Sequence, residues 1–308
     1  MRKAFVKTLI ELAEKDDKIF LLTADLGSDF DEFVKKFPRR FINCGIAEQN
    51  MMGVAAGLAL CGRKPYVYSI IPFVTMRAFE QIKNDICYQN LDVKIIGMGA
   101  GFHYGPLGCT HHAIEDFALR VLPNIMIISP ADGTETRELV LQAYKKGTPT
   151  YIRMSKSSIA EEDMPHKNSL NIELGEPAVL KSGKDGVIIS TGAQVKVCLG
   201  VAKKLSEHGK DLKVIGLHTL KPIDKNALLD ETNNFKNIII VEEHNILGGL
   251  AAAVCEILVE SDNIGRVKKI GIPDEYSSDT GSCAYLQKKY LLDKDNLASA
   301  ILKFLEHE

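Results

Sequence analysis

Short apolar segments alternate with helical patterns along the whole chain, and no other feature constrains its fold as much. Residues 19–24 and 66–71 are two such segments, each with the length of a buried strand. Between them, apolar residues recur from Ala47 to Leu58 at the spacing of one helix face. Parallel strands covered by helices produce this order, because the crossover between two parallel strands usually contains a helix. We therefore predict an α/β fold with two doubly wound domains, the first mostly parallel and the second smaller, with a mixed sheet.

The alternation is interrupted over residues 154–184, where Ser, Lys, Glu, Asp and Pro are frequent and no period holds. A second alternating series starts at Gly186. The length of 308 residues allows two domains of ordinary size. These observations predict a first domain over residues 1–160, a linker over 161–184 and a second domain over 185–308.

The composition excludes several classes of protein. Hydrophobic residues make up 45% and charged residues 25% of the chain, and the formal net charge is -2, without a basic cluster that would bind nucleic acid or an anionic membrane. The seven cysteines are scattered and form no Cys-x-x-Cys pair, which favours reduced thiols over disulfides or a zinc thiolate site. No apolar run approaches the roughly 20 residues of a membrane span, and the N-terminus becomes an amphipathic helix too soon for a signal peptide. We expect a cytoplasmic protein.

Glu48 stands where a helical pattern begins, within the segment NCGIAEQNMMG at residues 43–53. The helix dipole favours negative charge in a first turn, and this alone would account for an acid there. The segment also resembles the element that activates thiamine diphosphate in transketolase-like enzymes. The resemblance implies that Glu48 shares a proton with the aminopyrimidine ring of the cofactor. A buried acid suits that role because a low-dielectric site penalises an isolated carboxylate anion.

A second segment, IIPFVTMRAFEQI at residues 70–82, follows the next predicted strand. In transketolase-like enzymes an aromatic residue at the position of Phe73 stacks on the aminopyrimidine, and offset stacking of this kind contributes about 0.5–1.5 kcal/mol beyond area burial. Without the resemblance, Phe73 would be read as an ordinary core residue. Ile70 and Met76 stand where transketolases often carry further aromatics, so a less aromatic cofactor pocket is expected. The resemblance also places Arg77 and Asp25 at the cofactor.

A third segment, GPLGCTHHAIED at residues 105–116, resembles the loop of this family that ends in Thr-His. The resemblance implies that His111 lines the substrate channel and binds a substrate hydroxyl or transfers protons, for which imidazole is suited at neutral pH. As an alternative, His111 or its neighbour would cap the helix that follows. His103 is a weaker candidate for the same pocket. Leu107 replaces an Asp that reads sugar hydroxyls in many transketolases, which argues against the ordinary pentose phosphate substrates.

The resemblance gives three positions for binding a substrate phosphate. Arg2 matches a phosphate-binding arginine, Ser28 follows the turn after the first strand, and Lys156 stands where the family usually has arginine. Lysine can hold a phosphate as a point charge but cannot form two parallel hydrogen bonds with it. For each cation the alternative is a solvated surface side chain.

In the second half, EEHNILGGL at residues 242–250 and GIPDEY at residues 271–276 resemble the C-terminal domain of three related groups. These groups are transketolases, deoxyxylulose-phosphate synthases and the beta subunits of 2-oxo acid dehydrogenases, in which this domain mainly builds subunit contacts. Read alone, the Glu-Glu-His-Asn run suggests metal ligands, but a structural role is favoured and no metal ligand is predicted.

The sequence lacks one element that enzymes of this family need. They bind the cofactor diphosphate through magnesium on a domain marked by Gly-Asp-Gly and a downstream Asn, because Mg²⁺ prefers oxygen ligands. Here Asp132-Gly133 and Asp185-Gly186 each lack the preceding Gly. The resemblance therefore covers only the second half of a full-length enzyme. It implies a separate N-terminal subunit that binds Mg²⁺ and the diphosphate, and a heterotetramer of two plus two chains.

Three functions follow for such a subunit. The first is transfer of a two-carbon ketol unit from a ketose phosphate to an aldehyde. The second is decarboxylation of a 2-oxo acid, as in a deoxyxylulose-phosphate synthase-like or 2-oxo acid dehydrogenase beta-like subunit. The third is a non-catalytic scaffold subunit that has kept the fold.

Overall fold

The computed structural model describes residues 1–24, 26, 28–155, 172–261 and 265–306. These residues form two α/β units, each built on one twisted sheet with helices on its faces, as the sequence predicted. The strands of the larger sheet are β1 (Ile19–Thr23), β2 (Phe41–Asn43), β3 (Lys64–Ile70), β4 (Lys94–Met98), β5 (Met126–Ile128), β6 (Thr150–Met154) and β10 (Thr219–Lys221). These seven strands are arranged in the order β10-β5-β6-β4-β3-β1-β2, and only β10 is antiparallel to its neighbour.

The strands of the smaller sheet are β7 (Ala178–Lys181), β8 (Gly186–Ser190), β9 (Leu212–Gly216), β11 (Asn237–Asn245) and β12 (Arg266–Ile272). These five strands are arranged in the order β12-β11-β8-β9-β7, and β7 is antiparallel to β9. Both sheets are therefore mixed but mostly parallel, which confirms the predicted fold class.

Helices connect the strands and cover both sheets. The α-helices are α1 (Arg2–Lys15), α2 (Asp31–Lys36), α3 (Glu48–Leu60), α4 (Ile71–Val74), α5 (Phe79–Gln81), α6 (Gly133–Lys146), α7 (Gln194–Ser206), α8 (Lys225–Thr232), α9 (Leu250–Leu258), α10 (Cys283–Lys289) and α11 (Lys294–Glu306). A π-helical turn, Ile82–Cys87, continues α5, and short 3-10 turns cover Ser28–Phe30, Pro38–Arg40, Gly105–Leu107 and Asp116–Val121. Among the described residues, no helix has both the length and the apolar character that a membrane crossing requires.

The core of the larger unit lies on both faces of its sheet. On one face α1 packs against α6 and β1, and Phe5 of α1 stacks on Tyr68 of β3 with ring centroids 6.3 Å apart. On the other face α3 and the π-helical turn bury Met51, Ala55 and Ile82. Burial of apolar surface at roughly 25 cal/mol per Å² holds both layers in place. The carboxyl ends of the parallel strands therefore form one fixed edge, where ligands bind in sheets of this type.

Three elements differ from the sequence prediction. β7 lies within the range expected to be a linker, and it completes the edge of the smaller sheet. β10 comes from the C-terminal half but pairs with β5, so it joins the two units. The helix expected directly after the Thr-His loop is a 3-10 turn that starts only at Asp116. Each of these segments is too short for a periodic pattern, which needs several residues to be read.

Candidate active site

Glu48 is held at the carboxyl edge of the larger sheet by the turn between β2 and α3. Asn43 ends β2, and its Oδ1 accepts a hydrogen bond of 2.9 Å from the Gly45 N–H. Gly45 has a φ of +68°, in the left-handed region that glycine enters without strain. The Cys44 N–H donates to the Thr23 carbonyl at 2.8 Å and ties the turn to β1. The turn therefore fixes the start of α3, where Glu48 is the first residue.

The carboxylate of Glu48 points inward, and only 2% of the residue is exposed. Arg77 Nη1 donates to its Oε2 at 2.7 Å, and Ser69 Oγ on β3 lies 3.4 Å from its Oε1. A helix dipole acts on exposed and buried acids alike, so it does not account for the burial. Burying an ionised carboxylate is costly unless it is paired. Glu48 is thus a buried acid with one cationic partner, which meets the first requirement of the role that the resemblance implies.

Phe73, Arg77 and His111 surround this acid. Phe73 lies in α4, a single turn that starts directly after β3 and has Pro72 in its first positions, which suits proline's fixed φ. The Arg77 guanidinium carbon lies 4.4 Å from the centroid of the Phe73 ring. The His111 ring meets the same ring edge to face, with centroids 5.0 Å apart. Four predicted residues from three segments are therefore brought together in one cluster, which we call the Glu48 cluster (Glu48, Phe73, Arg77 and His111).

Ile70 and Met76 flank Phe73 in the same segment. Ile70 ends β3 and stands as the residue before α4, and the Met76 N–H donates to the Pro72 carbonyl at 3.0 Å just after that turn. Both side chains are half-buried. Both residues lie near Phe73 because they are close to it in the sequence, and their role at the cofactor stays a prediction.

His111 lies in the loop that follows the 3-10 turn Gly105–Leu107. Its Nδ1 is 3.0 Å from the Thr110 hydroxyl, and its ring centroid is 6.4 Å from that of Tyr104. The next helical turn starts at Asp116 and has Glu115 as its N-terminal cap, so His111 does not cap it. The neighbouring His112 is buried, which lowers the pKa of its imidazole. His111 is the half-exposed histidine of the pair, and its ring packs against Phe73.

His103 has a different environment from His111. Its Nδ1 donates to the Ala100 carbonyl at 2.6 Å, and its ring lies beside Glu243 and Cys283 from the C-terminal half. The structure therefore places His103 at the junction of the two units, and the Glu48 cluster is built without it.

The predicted phosphate ligands are only partly described. Arg2 lies at the start of α1, and its Nη1 donates to Asp29 Oδ2 at 2.7 Å. Burial raises the pKa of the Tyr68 phenol and Asp29 adds to the rise, whereas Arg2 opposes it. Ser28 starts the 3-10 turn Ser28–Phe30. Lys156 and Asp25 lie outside the described residues.

A buried polar network at the junction of the two units was missed by the sequence analysis. Asp116 Oδ2 accepts hydrogen bonds from the Tyr151 hydroxyl at 2.7 Å and from Arg153 Nε at 2.9 Å. Arg153 Nη2 also donates to the Glu243 carbonyl of β11 at 3.1 Å. Only 1% of Asp116 and 4% of Arg153 are exposed. A charged residue within the otherwise uncharged segment of β6 was the available sequence signal of this network.

Glu242, in the run that by itself suggests metal ligands, has a structural role. Its oxygens accept the N–H groups of Leu250 at 2.6 Å and Ala251 at 3.0 Å, at the start of α9. Burial raises its pKa to about 7, although these two bonds oppose the rise. The imidazole of His244 is also buried, which lowers its pKa to about 4.

The described residues fit one half of thiamine diphosphate. A buried carboxylate next to an aromatic ring, at the carboxyl edge of a parallel sheet, can hold a flat ring with a nitrogen that exchanges a proton. The diphosphate end has no comparable partner in the two Asp-Gly pairs. Asp132 Oδ1 accepts the Glu135 N–H at 2.8 Å and caps α6, and Asp185 Oδ2 accepts the Asp211 N–H at 2.6 Å. Both carboxylates therefore accept hydrogen bonds from backbone N–H groups.

Comparison with protein families and known proteins agrees with this geometry. Residues 1–161 match the pyrimidine-binding domain of transketolase, and residues 175–297 match the transketolase C-terminal domain. The chain is 36% identical to one of the subunits of the apulose-4-phosphate transketolase of Phocaeicola vulgatus, with 99% of this chain and 97% of that protein covered. It is 35% identical to the 1-deoxy-D-xylulose-5-phosphate synthase of Halothermothrix orenii, with 99% of this chain but only 48% of that protein covered.

A solved structure gives the same result. A split-gene transketolase, described as an inactive beta4 tetramer, superposes with a TM-score of 0.87 at 39% identity, and 99% of this chain and 97% of that chain are covered. The resemblance seen in the sequence is confirmed. The chain belongs to the transketolase family and consists of the pyrimidine-binding and C-terminal domains of that family.

Proposed function

We propose that this chain is the C-terminal subunit of a split, thiamine diphosphate-dependent transketolase that moves a two-carbon ketol unit from a ketose phosphate to an aldehyde. The observation that carries the proposal is the Glu48 cluster, in which a buried acid lies beside a stackable ring. The similarity to the transketolase subunit from Phocaeicola vulgatus extends over 97% of that protein. Because that protein is one subunit of its enzyme, the similarity supports a chain that works with a partner subunit.

The residues of this chain orient the cofactor ring and manage protons around it. When bound, thiamine diphosphate supplies the electron sink for breaking the bond beside a ketose carbonyl. Glu48 holds or releases a proton at its carboxylate, and its burial keeps water from competing for that proton. Phe73 fixes the plane of the ring by stacking. His111, half-exposed beside Phe73, binds a substrate hydroxyl or passes a proton to it.

The partner subunit completes the site. It would bind Mg²⁺ and the diphosphate, because both Asp-Gly pairs of this chain lack the preceding Gly of the Gly-Asp-Gly motif that marks this site in the family. We assign the completed site to a heterotetramer of two plus two chains, the assembly that the resemblance to transketolases implies. The related split-gene transketolase is described as inactive when it forms a beta4 tetramer, which supports the dependence on a partner.

The substrate phosphate is assigned to Arg2, with Ser28 and Lys156 as further ligands. Arg2 is already paired with Asp29 at 2.7 Å, so a phosphate must compete with that carboxylate. A doubly charged phosphate offers more charge-assisted hydrogen bonds than one carboxylate and can therefore displace it.

A second candidate function is decarboxylation of a 2-oxo acid. It is favoured by the similarity to the deoxyxylulose-phosphate synthase of Halothermothrix orenii, whose 35% identity is close to the 36% shared with the Phocaeicola vulgatus protein. Both functions use the same cofactor and the same Glu48 cluster. They differ in the donor substrate, which is a ketose phosphate in the first function and a 2-oxo acid in the second.

The deciding experiment uses the chain reconstituted with its N-terminal partner, thiamine diphosphate and Mg²⁺. We expect transfer from a ketose phosphate to an aldehyde, measured by the ketose product, and no carbon dioxide from pyruvate. Carbon dioxide release from pyruvate without ketol transfer would replace the first function by the second. Activity that survives removal of Mg²⁺ with a chelator would contradict both. As a further control, the chain alone should bind the cofactor only weakly; tight binding without a partner would refute the split site.

A further inference from the structure

Three side chains outside the Glu48 cluster meet at the junction of the two units. The potential ligand atoms of His103, Glu243 and Cys283 all lie within 4.8 Å of one another. His103 comes from the loop after β4, Glu243 from the end of β11 and Cys283 from the first position of α10. No spacing in the sequence reveals this group, because its three members come from widely separated segments.

The tautomer of His103 suits a metal ligand. A carbonyl oxygen can only accept, so the bond of 2.6 Å between Nδ1 and the Ala100 carbonyl places the proton on Nδ1. Nε2 then carries the lone pair. Metal-binding histidines almost always donate their other ring N–H in this way, which fixes the ring orientation.

Glu243 is held in place by groups that leave one oxygen for a ligand. Its Oε1 accepts hydrogen bonds from the Phe102 N–H at 3.2 Å and from Gln287 Nε2 at 3.1 Å. Only 5% of the residue is exposed. A Cβ atom at Gly101, where φ is +61°, would come within 2.4 Å of the Glu243 Cδ. The carboxylate can therefore occupy this position only because residue 101 is glycine.

Cys283 completes the group from the other side. Its Sγ lies 3.8 Å from Glu243 Oε1, and the Ser282 hydroxyl oxygen accepts the Tyr285 N–H at 3.2 Å, which fixes the start of α10. A thiolate, an imidazole and a carboxylate form a donor set typical of zinc rather than of magnesium or calcium. Bonds of about 2.0–2.3 Å to a tetrahedral zinc require the ligand atoms to move closer by roughly 1 Å.

We propose that His103, Glu243 and Cys283 form a binding site for one zinc-type divalent cation, with a fourth position open to water. The cation would link the loop after β4 to β11 and α10, and so fasten the two units together. The same loop carries Tyr104, which contacts the His111 ring. The site is separate from the Mg²⁺ of the proposed function, and it does not depend on that function.

The test uses the full chain without a partner, loaded with Co²⁺ as a spectroscopic substitute for zinc. We expect one equivalent to bind and to give the near-ultraviolet charge-transfer band of a cobalt thiolate. Cys283→Ser should abolish the band, whereas Cys61→Ser, which changes an exposed cysteine at the end of α3, should leave it unchanged. Zinc should also raise the thermal unfolding midpoint of the wild type and of Cys61→Ser, because a ligand that binds only the folded state stabilises it.

Two further variants test the proposal independently of any folding defect in Cys283→Ser. His103→Gln should lower the affinity for zinc, measured by competition with a chromophoric chelator. Gln287→Ala removes the hydrogen bond from Gln287 to Glu243 and should weaken zinc binding about 10–100-fold. A cobalt spectrum without a thiolate band in the wild type would overturn the proposal. So would an affinity for zinc that stays unchanged in folded His103→Gln and Cys283→Ser.

Discussion

Replacing Glu48 by Gln separates the chemistry of the carboxylate from its structural role. Gln has nearly the same shape, and its carbonyl oxygen can still accept the hydrogen bond from Arg77 that now measures 2.7 Å. The side chain of Arg77 is 42% exposed, so its ion pair with Glu48 is worth at most about 1 kcal/mol. Removing the charge also removes the cost of burying it. We therefore expect the free energy of unfolding of Glu48→Gln to change by about 1 kcal/mol or less.

The effect on activity should be far larger. An amide cannot take up or release the proton that the cofactor ring must exchange, and proton transfer by a positioned side chain is worth about 10²- to 10⁴-fold in rate. This corresponds to about 2.7–5.5 kcal/mol of activation free energy. The measurement is ketol transfer by the reconstituted enzyme at saturating cofactor, next to urea unfolding of the same preparations. Glu80→Gln, at an exposed position of α5, is the matched control and should keep full activity.

Two results would refute this reasoning. A folded Glu48→Gln enzyme with activity within a few-fold of the wild type would favour the scaffold hypothesis. A loss of several kcal/mol in unfolding free energy would show that the carboxylate is buried for the sake of the fold.

Three other predictions follow from the same structure. Phe73→Leu should weaken binding of thiamine diphosphate to the reconstituted enzyme about two- to tenfold, because a stacking contribution of about 0.5–1.5 kcal/mol is lost; unchanged affinity in calorimetry would exclude the stacking role. Asp116→Asn should lower the free energy of unfolding by about 3–5 kcal/mol in urea, because it leaves a buried guanidinium without its counter-charge; a loss below about 1 kcal/mol would contradict this. Burial opposes ionisation of Asp16, but the Lys18 N–H and Lys64 outweigh it and hold its pKa at about 2, below the ordinary value of 3.8. Asp16 therefore stabilises the fold above about pH 4 and loses this contribution as the pH falls through about 2. We expect Asp16→Asn to lower the free energy of unfolding by about 1 kcal/mol at pH 7, after allowance for solvent screening, and by much less near pH 2.

The parts of the fold that the sequence predicted are those determined by local patterns. β1 and α3 appear within one or two residues of their expected bounds, because an apolar run or a helix face repeats several times within one element. The position of Glu48 was predictable for a related reason. A short strand, a turn containing Gly45 and a helix start define its surroundings within about ten residues.

The parts that could not be predicted depend on contacts between distant segments. β10 has only three residues, and it is a strand because β5 offers it a free edge. Asp116 and Arg153 are 37 residues apart, and each would be read as a surface charge by itself. The same holds for His103, whose sequence neighbours gave no sign of Glu243. Local patterns carry no information on such pairs, because their stability comes from burial in the completed fold.

Arg77 would have to move if the Glu48 cluster binds the cofactor ring as proposed. In the isolated chain the Arg77 guanidinium occupies both groups that the cofactor ring would contact. It pairs with Glu48 and lies over one face of the Phe73 ring. A ring that stacks on this face of Phe73 and bonds to Glu48 would displace Arg77, and the cost would depend on the exposure of that side chain. Because the guanidinium is partly in water already, its ion pair and its cation–π contact are each worth about 1 kcal/mol or less. Stacking on Phe73 and a hydrogen bond to a buried carboxylate together exceed that cost. The partial exposure of Arg77 therefore keeps the cost of displacing it low, as the proposed function requires.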